Sequence, residues 1–233
     1  MSDKIELLER FKTEAALSGA QVTLASSADQ AVDFVLGLVK DKGITTAVKS
    51  ASPIAERLDL AARLTKAGVK VMETSIAQWA AGLARGKDVP MDKLAELISA
   101  VSGEKVPPEP EAILRVARRI MKDMYAGAGL GITEADFGIA ETGTLVTLEN
   151  EGNARLAAAL PRLHLTLLDG THIASSLADA AELIKGSSGG IPGHKLPTFI
   201  TYLTGRNTTA DIPGAIFARA QGPAEEYILI LKA

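Results

Sequence analysis

The stretch QVTLASSADQAVDFVLGLVKDKGITTAVKS, residues 21–50, decides the fold. QVTLA at 21–25 is a short strand. It is followed by Val32, Val35, Leu36 and Val39 at helical spacing, with Gly43 as the stop. Ser27 and Gln30 stand three apart, the spacing of a capping box that satisfies the free N–H groups at a helix entry. ITTAVK at 44–49 is the next strand. A helix over 54–67, with Leu58, Ala61, Ala62 and Thr65 on one side, then leads to the strand VKVMET at 69–74. Strand and helix alternating over about fifty residues predict a parallel sheet with helical crossovers.

Upstream of this unit, residues 3–19 form an amphipathic docking helix with Ile5, Leu8, Phe11 and Ala15 three or four apart. Downstream, residues 74–110 break the rhythm: ARGKDVP, a short helix around 91–101, and EKVPPEPEA, a stiff connector with three prolines. A helix at 111–124 buries Ile113, Val116, Ala117, Ile120, Met121 and Met124, and its opposite face, Arg115, Arg118, Arg119 and Lys122, reads as solvated. From 129 onward strands follow closely: GLGIT, FGIAET, TLVTLE, LHLTLLD, TFITYL and EYILILK. Several leave no room for a crossover helix, so this half is expected to be partly antiparallel or mixed, with the helix at 175–185 as its one clear crossover and Ser175 or Ser176 as its cap.

Composition limits the function classes. With 47% hydrophobic and 23% charged residues the 233-residue chain is that of an ordinary folded α/β protein, expected to form one domain over 1–233. A net charge of −3 without a basic block argues against nucleic acid or an anionic membrane as partner, and with no apolar run of membrane-spanning length the expected location is cytoplasmic. Cysteine is absent from these residues, so any iron–sulfur or thiolate chemistry must be supplied by other proteins. The three histidines, His164, His172 and His194, have no metal-ligand spacing, and no metal site is expected.

Five stretches are candidates for a site. In FGIAET, alternation puts Phe137, Ile139 and Glu141 on one face, and Thr142, Gly143 and Thr144 turn the chain where backbone N–H groups can approach an anion; a hairpin with a solvated Glu141 is the plain alternative. In ENEGNAR, Asn150, Glu151, Gly152 and Arg155 join turn chemistry to a guanidinium suited to a carboxylate or phosphate, or simply to pairing with Glu151. Lys49 and Ser50 end a parallel strand, where ligands of open α/β sheets gather. GSSGGIPG at 186–193 is a loop or a lid. In TGRNTTADIPG at 204–214, Thr209 and Asp211 belong to a polar loop that faces a ligand or caps a helix.

As a set, GITEADFGIAETGTLVTLENEGNARLAAALPRLHLTL at 131–167, TGRNTTADIPG at 204–214 and AQGPAEEYILIL at 220–231 resemble the lactate-utilization (LUD) family, in particular its protein C branch. VKSASP at 48–53 and VKVMETSIAQW at 69–79 extend the likeness to roughly 44–233. The resemblance implies a three-layer α/β/α sandwich of the NagB, ribose-5-phosphate isomerase and CoA-transferase type, with a parallel Rossmann-like first half and a mixed sheet in the second. It also implies a part in oxidising L-lactate to pyruvate beside cysteine-rich iron–sulfur proteins, with no cofactor in this chain. Carried over by motif, Lys49 and Ser50, Glu141 to Thr144, Asn150 to Arg155, and Thr209 to Asp211 are the site residues, with Glu141 as a catalytic carboxylate if the chain works alone on an acyl-CoA or phosphorylated metabolite. A metabolite-binding module without chemistry is the third possibility, and a small carboxylate or CoA-like molecule is the expected ligand.

Overall fold

The computed structural model describes residues 2–75, 79, 90–185, 187, 196–205, 208–209, 217–218 and 222–232. After the helix α1 (Ser2–Leu17), the chain forms β1 (Gln21–Ala25), α2 (Ala28–Asp41), β2 (Thr46–Lys49), α3 (Pro53–Arg57), α4 (Leu60–Lys66) and β3 (Lys70–Glu73). The entry to α2 follows the expected capping chemistry with one change of partner. Ser27 Oγ accepts from Gln30 N–H at 3.2 Å, and the Gln30 side chain reaches back to Ser26 N–H at 2.8 Å instead of Ser27.

The helix expected over 54–67 is two helices. Asp59 adopts φ 49°, ψ 39° between them. Leu58 and Leu60, about 200° apart on one continuous helix, are both buried, at 4% and 0% exposure, because the break turns each inward. Aspartate is among the few residues that tolerate this left-handed conformation.

The second half contributes α5 (Met91–Ser102), α6 (Pro110–Gly127), β4 (Leu130–Ala135), β5 (Phe137–Ile139), β6 (Thr144–Glu149), α7 (Asn153–Ala159), β7 (Leu163–Asp169), β8 (Ile173–Ala174), α8 (Leu177–Lys185), β9 (Phe199–Leu203), the two-residue strands β10 (Thr208–Thr209) and β11 (Phe217–Ala218), and β12 (Glu225–Leu231). Six strands form one parallel sheet in the order β1-β12-β7-β4-β2-β3. β5, β6, β8 and β9 form a separate mixed sheet, and β10 pairs antiparallel with β11.

The halves therefore interleave. β4, β7 and β12 occupy the centre of the parallel sheet, between β1 and β2. Their near-continuous apolar runs fit strands covered on both faces.

One face of this sheet carries Leu130, Ile132, Leu163, Leu165, Leu167 and Leu229 against Val32, Val35, Ile54, Leu60 and Leu64 of α2, α3 and α4. The other face meets α5, α6 and α7 at one end, and α1 with the mixed sheet at the other. The result is the three-layer α/β/α sandwich. On the face opposite α3, the helix packed on β4 and β7 is the short α7, and the expected crossover helix at 175–185 lies on the mixed sheet. α8 instead sets Ala180 and Ile184 against Phe137, Ile139, Val146 and Ala174 of the mixed sheet. Ser176 caps it, accepting from Asp179 N–H at 3.2 Å. Among the described residues no helix is long and apolar enough to cross a membrane.

Candidate functional site

The parallel strands end at a cleft of about 350 Å³, lined by Ser50, Ala51, Ser75, Glu134, Asp136, Glu149, Asn150, Glu151 and Asn153. Two sequence motifs a hundred residues apart meet here: the Lys49-Ser50 end of β2 and the Asn150-Glu151 turn before α7. Ser50 N–H donates to the Ile132 carbonyl at 2.9 Å, while its hydroxyl is buried and has no hydrogen-bond partner among the described residues, and the residue borders the cleft. Lys49 is not surface decoration: it is 2% exposed, pairs with Glu73 at 2.9 Å and donates to the Ser50 carbonyl at 3.2 Å. Burial raises the Glu73 carboxyl above its ordinary value, and the Lys49 ammonium opposes that rise.

Most of the carboxylates around the cleft are already engaged by the fold. Glu134 Oε2 accepts from Ser52 Oγ at 2.5 Å and from Ile54 N–H at 2.8 Å, at the start of α3. Glu149 accepts from Ala154 N–H at 2.7 Å and Arg155 N–H at 3.0 Å, closing the start of α7. Sequence reasoning missed both; a carboxylate shortly before a glycine turn and a helix was the available signal for Glu149. Asp136 accepts from Leu148 N–H at 2.7 Å. Its carboxyl is raised by desolvation first; the Leu148 bond opposes the rise and the neighbouring Glu134 adds to it. With the helix entries filled by protein carboxylates, the cleft has a negative lining and suits hydroxyl or amine donors better than anions. Among the described residues no group of three acidic or histidine side chains is arranged to hold a metal.

The other expected site residues are scattered. Glu141 is exposed, and its Oε2 accepts from Leu177 N–H at 3.4 Å, at the entry to α8 and outside the cleft. Gly143 has φ +64°, and a Cβ there would lie 2.1 Å from Ala15 N. The close approach that this glycine permits is to the backbone of α1. Thr142 and Thr144 share a hydroxyl contact at 2.7 Å, and Thr144 continues it to Thr204 at 2.7 Å. Asn150 Oδ1 accepts from Thr198 N–H at 2.9 Å and anchors the turn to the start of β9. Glu151 accepts from Ser75 Oγ at 3.4 Å. Gly152, at φ +75°, leads into α7. Thr209 lies in β10, whereas Asp211 and the loop 186–193, apart from Ser187, lie outside the described residues.

Arg155 faces away from Lys49 and Ser50. Its guanidinium stacks 4.6 Å from the centroid of the Phe199 ring. It borders a second cleft, of about 280 Å³, together with His164, Thr201, Thr204, Gly205, Gly222 and Glu226. His164 hydrogen-bonds through Nε2 to Thr133 Oγ1 at 2.8 Å, and full burial pushes it down to about 4. Glu226, beside it in register on β12, is 3% exposed and is pushed up to about 7 by burial. On the far side of α7, an apolar groove of about 840 Å³ is lined by Leu94, Leu114, Met121, Leu156 and Leu160 with Arg118 and Lys122. Part of the basic face of α6 therefore borders a groove. Arg119, on the same helix, pairs with Glu104 at 2.9 Å.

The LUD domain family model matches residues 8–231. The chain belongs to the LUD domain family. Among curated relatives, it is 29% identical over 238 residues to lactate utilization protein B of Geobacillus sp. WCH70, covering 96% of this chain and 48% of that protein. It is 28% identical over 238 residues to lactate utilization protein B of Bacillus subtilis 168, covering 96% and 47%. It is 26% identical over 235 residues to the uncharacterized electron transport protein YkgF of Escherichia coli K12, covering 96% and 47%. The LUD chain thus spans about half the length of the curated relatives it matches, and the first two of these are named protein B, not the protein C expected from the sequence motifs. A crystal structure of a DUF162 family protein from Deinococcus radiodurans superposes with a TM-score of 0.56 at 14% identity, covering 98% of both chains, which shows the shared fold.

Proposed function

We propose that this LUD chain is an accessory component of L-lactate utilization, acting beside cysteine-rich iron–sulfur proteins in the oxidation of L-lactate to pyruvate. The observation that carries the reading is the match of the LUD domain family over residues 8–231; the Ser50 and Asn150-Glu151 motifs meet in one cleft at the carboxyl ends of the parallel strands, and its acidic lining suits a hydroxyl- or amine-bearing ligand or partner rather than the lactate carboxylate. The names of the relatives support lactate as the metabolite. These 233 residues contain no cysteine, so the clusters that accept electrons lie outside them. In this reading the chain is a protein C type unit of cytoplasmic location that carries no cofactor of its own, and it organises substrate and partners.

Anaerobic affinity purification of the tagged chain at native expression level tests it. The expected preparation carries iron–sulfur absorbance and L-lactate-dependent dye reduction, and both disappear when partners are stripped. A colourless protein that purifies alone, with no activity toward lactate, would overturn the proposal.

A further inference from the structure

The second cleft has a feature that the fold does not use. Glu226 Oε1 is buried beside the cleft and has no hydrogen-bond partner among the described residues, although burying a carboxyl group unpaired is costly. Its register neighbour His164 directs Nε2 to Thr133 and, at 3.3 Å, to Thr166, and makes no hydrogen bond to Glu226 among the described residues. Arg155 lines the same cavity from α7 without an ion pair to Glu226 among the described residues, and burial is the only cause acting on the Glu226 carboxyl. Arg155 and Glu226 therefore border one cavity without pairing across it, and Thr201 and Thr204 of the β9 segment and Gly222 complete its lining.

We propose that this cleft binds a small 2-hydroxycarboxylate, with its carboxylate on Arg155 and its hydroxyl on Glu226. The inference rests on the lactate-utilization reading for the choice of acid and on the cavity for the site. A guanidinium suits a carboxylate by bidentate geometry. A hydroxyl suits Glu226 because it donates to the carboxylate and accepts from the carboxylic acid, so either protonation state of this buried group is served. An ammonium would require the charged form, which burial opposes. A phosphate would set two charges beside a buried carboxyl group with one cation to balance them. A cavity of about 280 Å³ admits a three- or four-carbon acid with bridging waters.

Calorimetric titration of the purified chain with L-lactate, glycolate, 2-hydroxybutyrate and propionate tests the site, with Glu226→Leu and Arg155→Ala as variants. Glu226→Leu keeps a similar size and removes both the desolvated acid and its hydrogen-bonding oxygens, and Arg155 is exposed; a melting curve confirms that each variant is folded. The expected result is binding of at least one 2-hydroxycarboxylate, with affinity about tenfold lower for propionate, which lacks the hydroxyl, and about tenfold lower in each variant. Equal affinity in Glu226→Leu, equal affinity for propionate, or no binding of any hydroxy acid overturns the proposal. Binding of glycolate or 2-hydroxybutyrate but not L-lactate supports the site and counts against lactate as the metabolite. Full L-lactate-dependent dye reduction by a complex carrying Glu226→Leu overturns the site and leaves the accessory role standing.

Discussion

Replacing Glu149 by alanine tests the claim that the acidic lining of the main cleft is built to hold α7 in place. Glu149 is 9% exposed, and its two carboxylate oxygens take the first free N–H groups of α7, those of Ala154 and Arg155, at 2.7 and 3.0 Å. Each hydrogen bond to a charged group contributes about 1.5–3 kcal/mol, and loss of a helix cap costs about 0.5–2 kcal/mol. Water entering the open cleft can rehydrate part of what alanine exposes, so the expected loss is about 3 kcal/mol, toward the lower end of the two-bond sum. Glutamine, which retains one acceptor oxygen, should lose about half as much. Urea unfolding with linear extrapolation measures both variants against the parent chain. A loss below about 1 kcal/mol for alanine would mean that α7 is held by its packing alone and that Glu149 is available for other chemistry.

Gly131→Ala would place a Cβ 1.8 Å from the Ala157 carbonyl, so α7 must move off β4; a loss of about 3 kcal/mol in the same assay is expected, and an unchanged midpoint would contradict the packing. Glu226→Gln should stabilise the ligand-free chain in a pH-dependent way. The carboxyl is raised from 4.5 to about 7 in the folded state, so the folded chain holds that proton more tightly. The cost of Glu226 is absent below pH 4.5, grows as pH rises to 7, and reaches about 3 kcal/mol above it. The variant should gain that amount at pH 8 and nothing at pH 4; equal gains at both values would refute the assignment. His164 has the opposite slope. Lowered from 6.5 to about 4, it makes the folded chain lose stability as pH falls through that window, so Glu226→Gln should unmask a steeper acid loss than the parent shows. Glu141→Gln removes only one 3.4 Å contact to Leu177 N–H, so a stability change under about 1 kcal/mol and intact lactate-dependent activity are expected; selective loss of activity would favour a catalytic carboxylate at that turn.

Local patterns in the sequence transferred well to the structure. The strand–helix–strand unit at 21–49, the Ser27 cap and the apolar stripe of α6 depend on contacts a few residues apart, which periodicity reports directly. Strand partnership did not transfer, because it is set by chain segments far apart. LHLTLL and EYILIL read only as buried strands, and nothing local says that they insert between β1 and β2. The seven-residue α7 is too short to produce a strong helical period.

The site was legible where motif and strand end coincide, at Ser50 and Asn150, and illegible where a glycine turn serves the fold, as Gly143 does under α1. Glu226 and His164 were hidden for a different reason. Each stands second in a central strand that continues with apolar, tyrosine or threonine residues, and only the register shows that the two are neighbours. A polar residue at matching positions of two such strands was the available signal.

The accessory role is tested most directly by adding the chain back to its partners. Iron–sulfur partners purified without this chain are assayed for L-lactate-dependent dye reduction, before and after the purified chain is added. The account predicts little activity before addition and saturable recovery after it, as the chain approaches equimolar amounts. Full activity of the partners alone, unchanged by the addition, would contradict it.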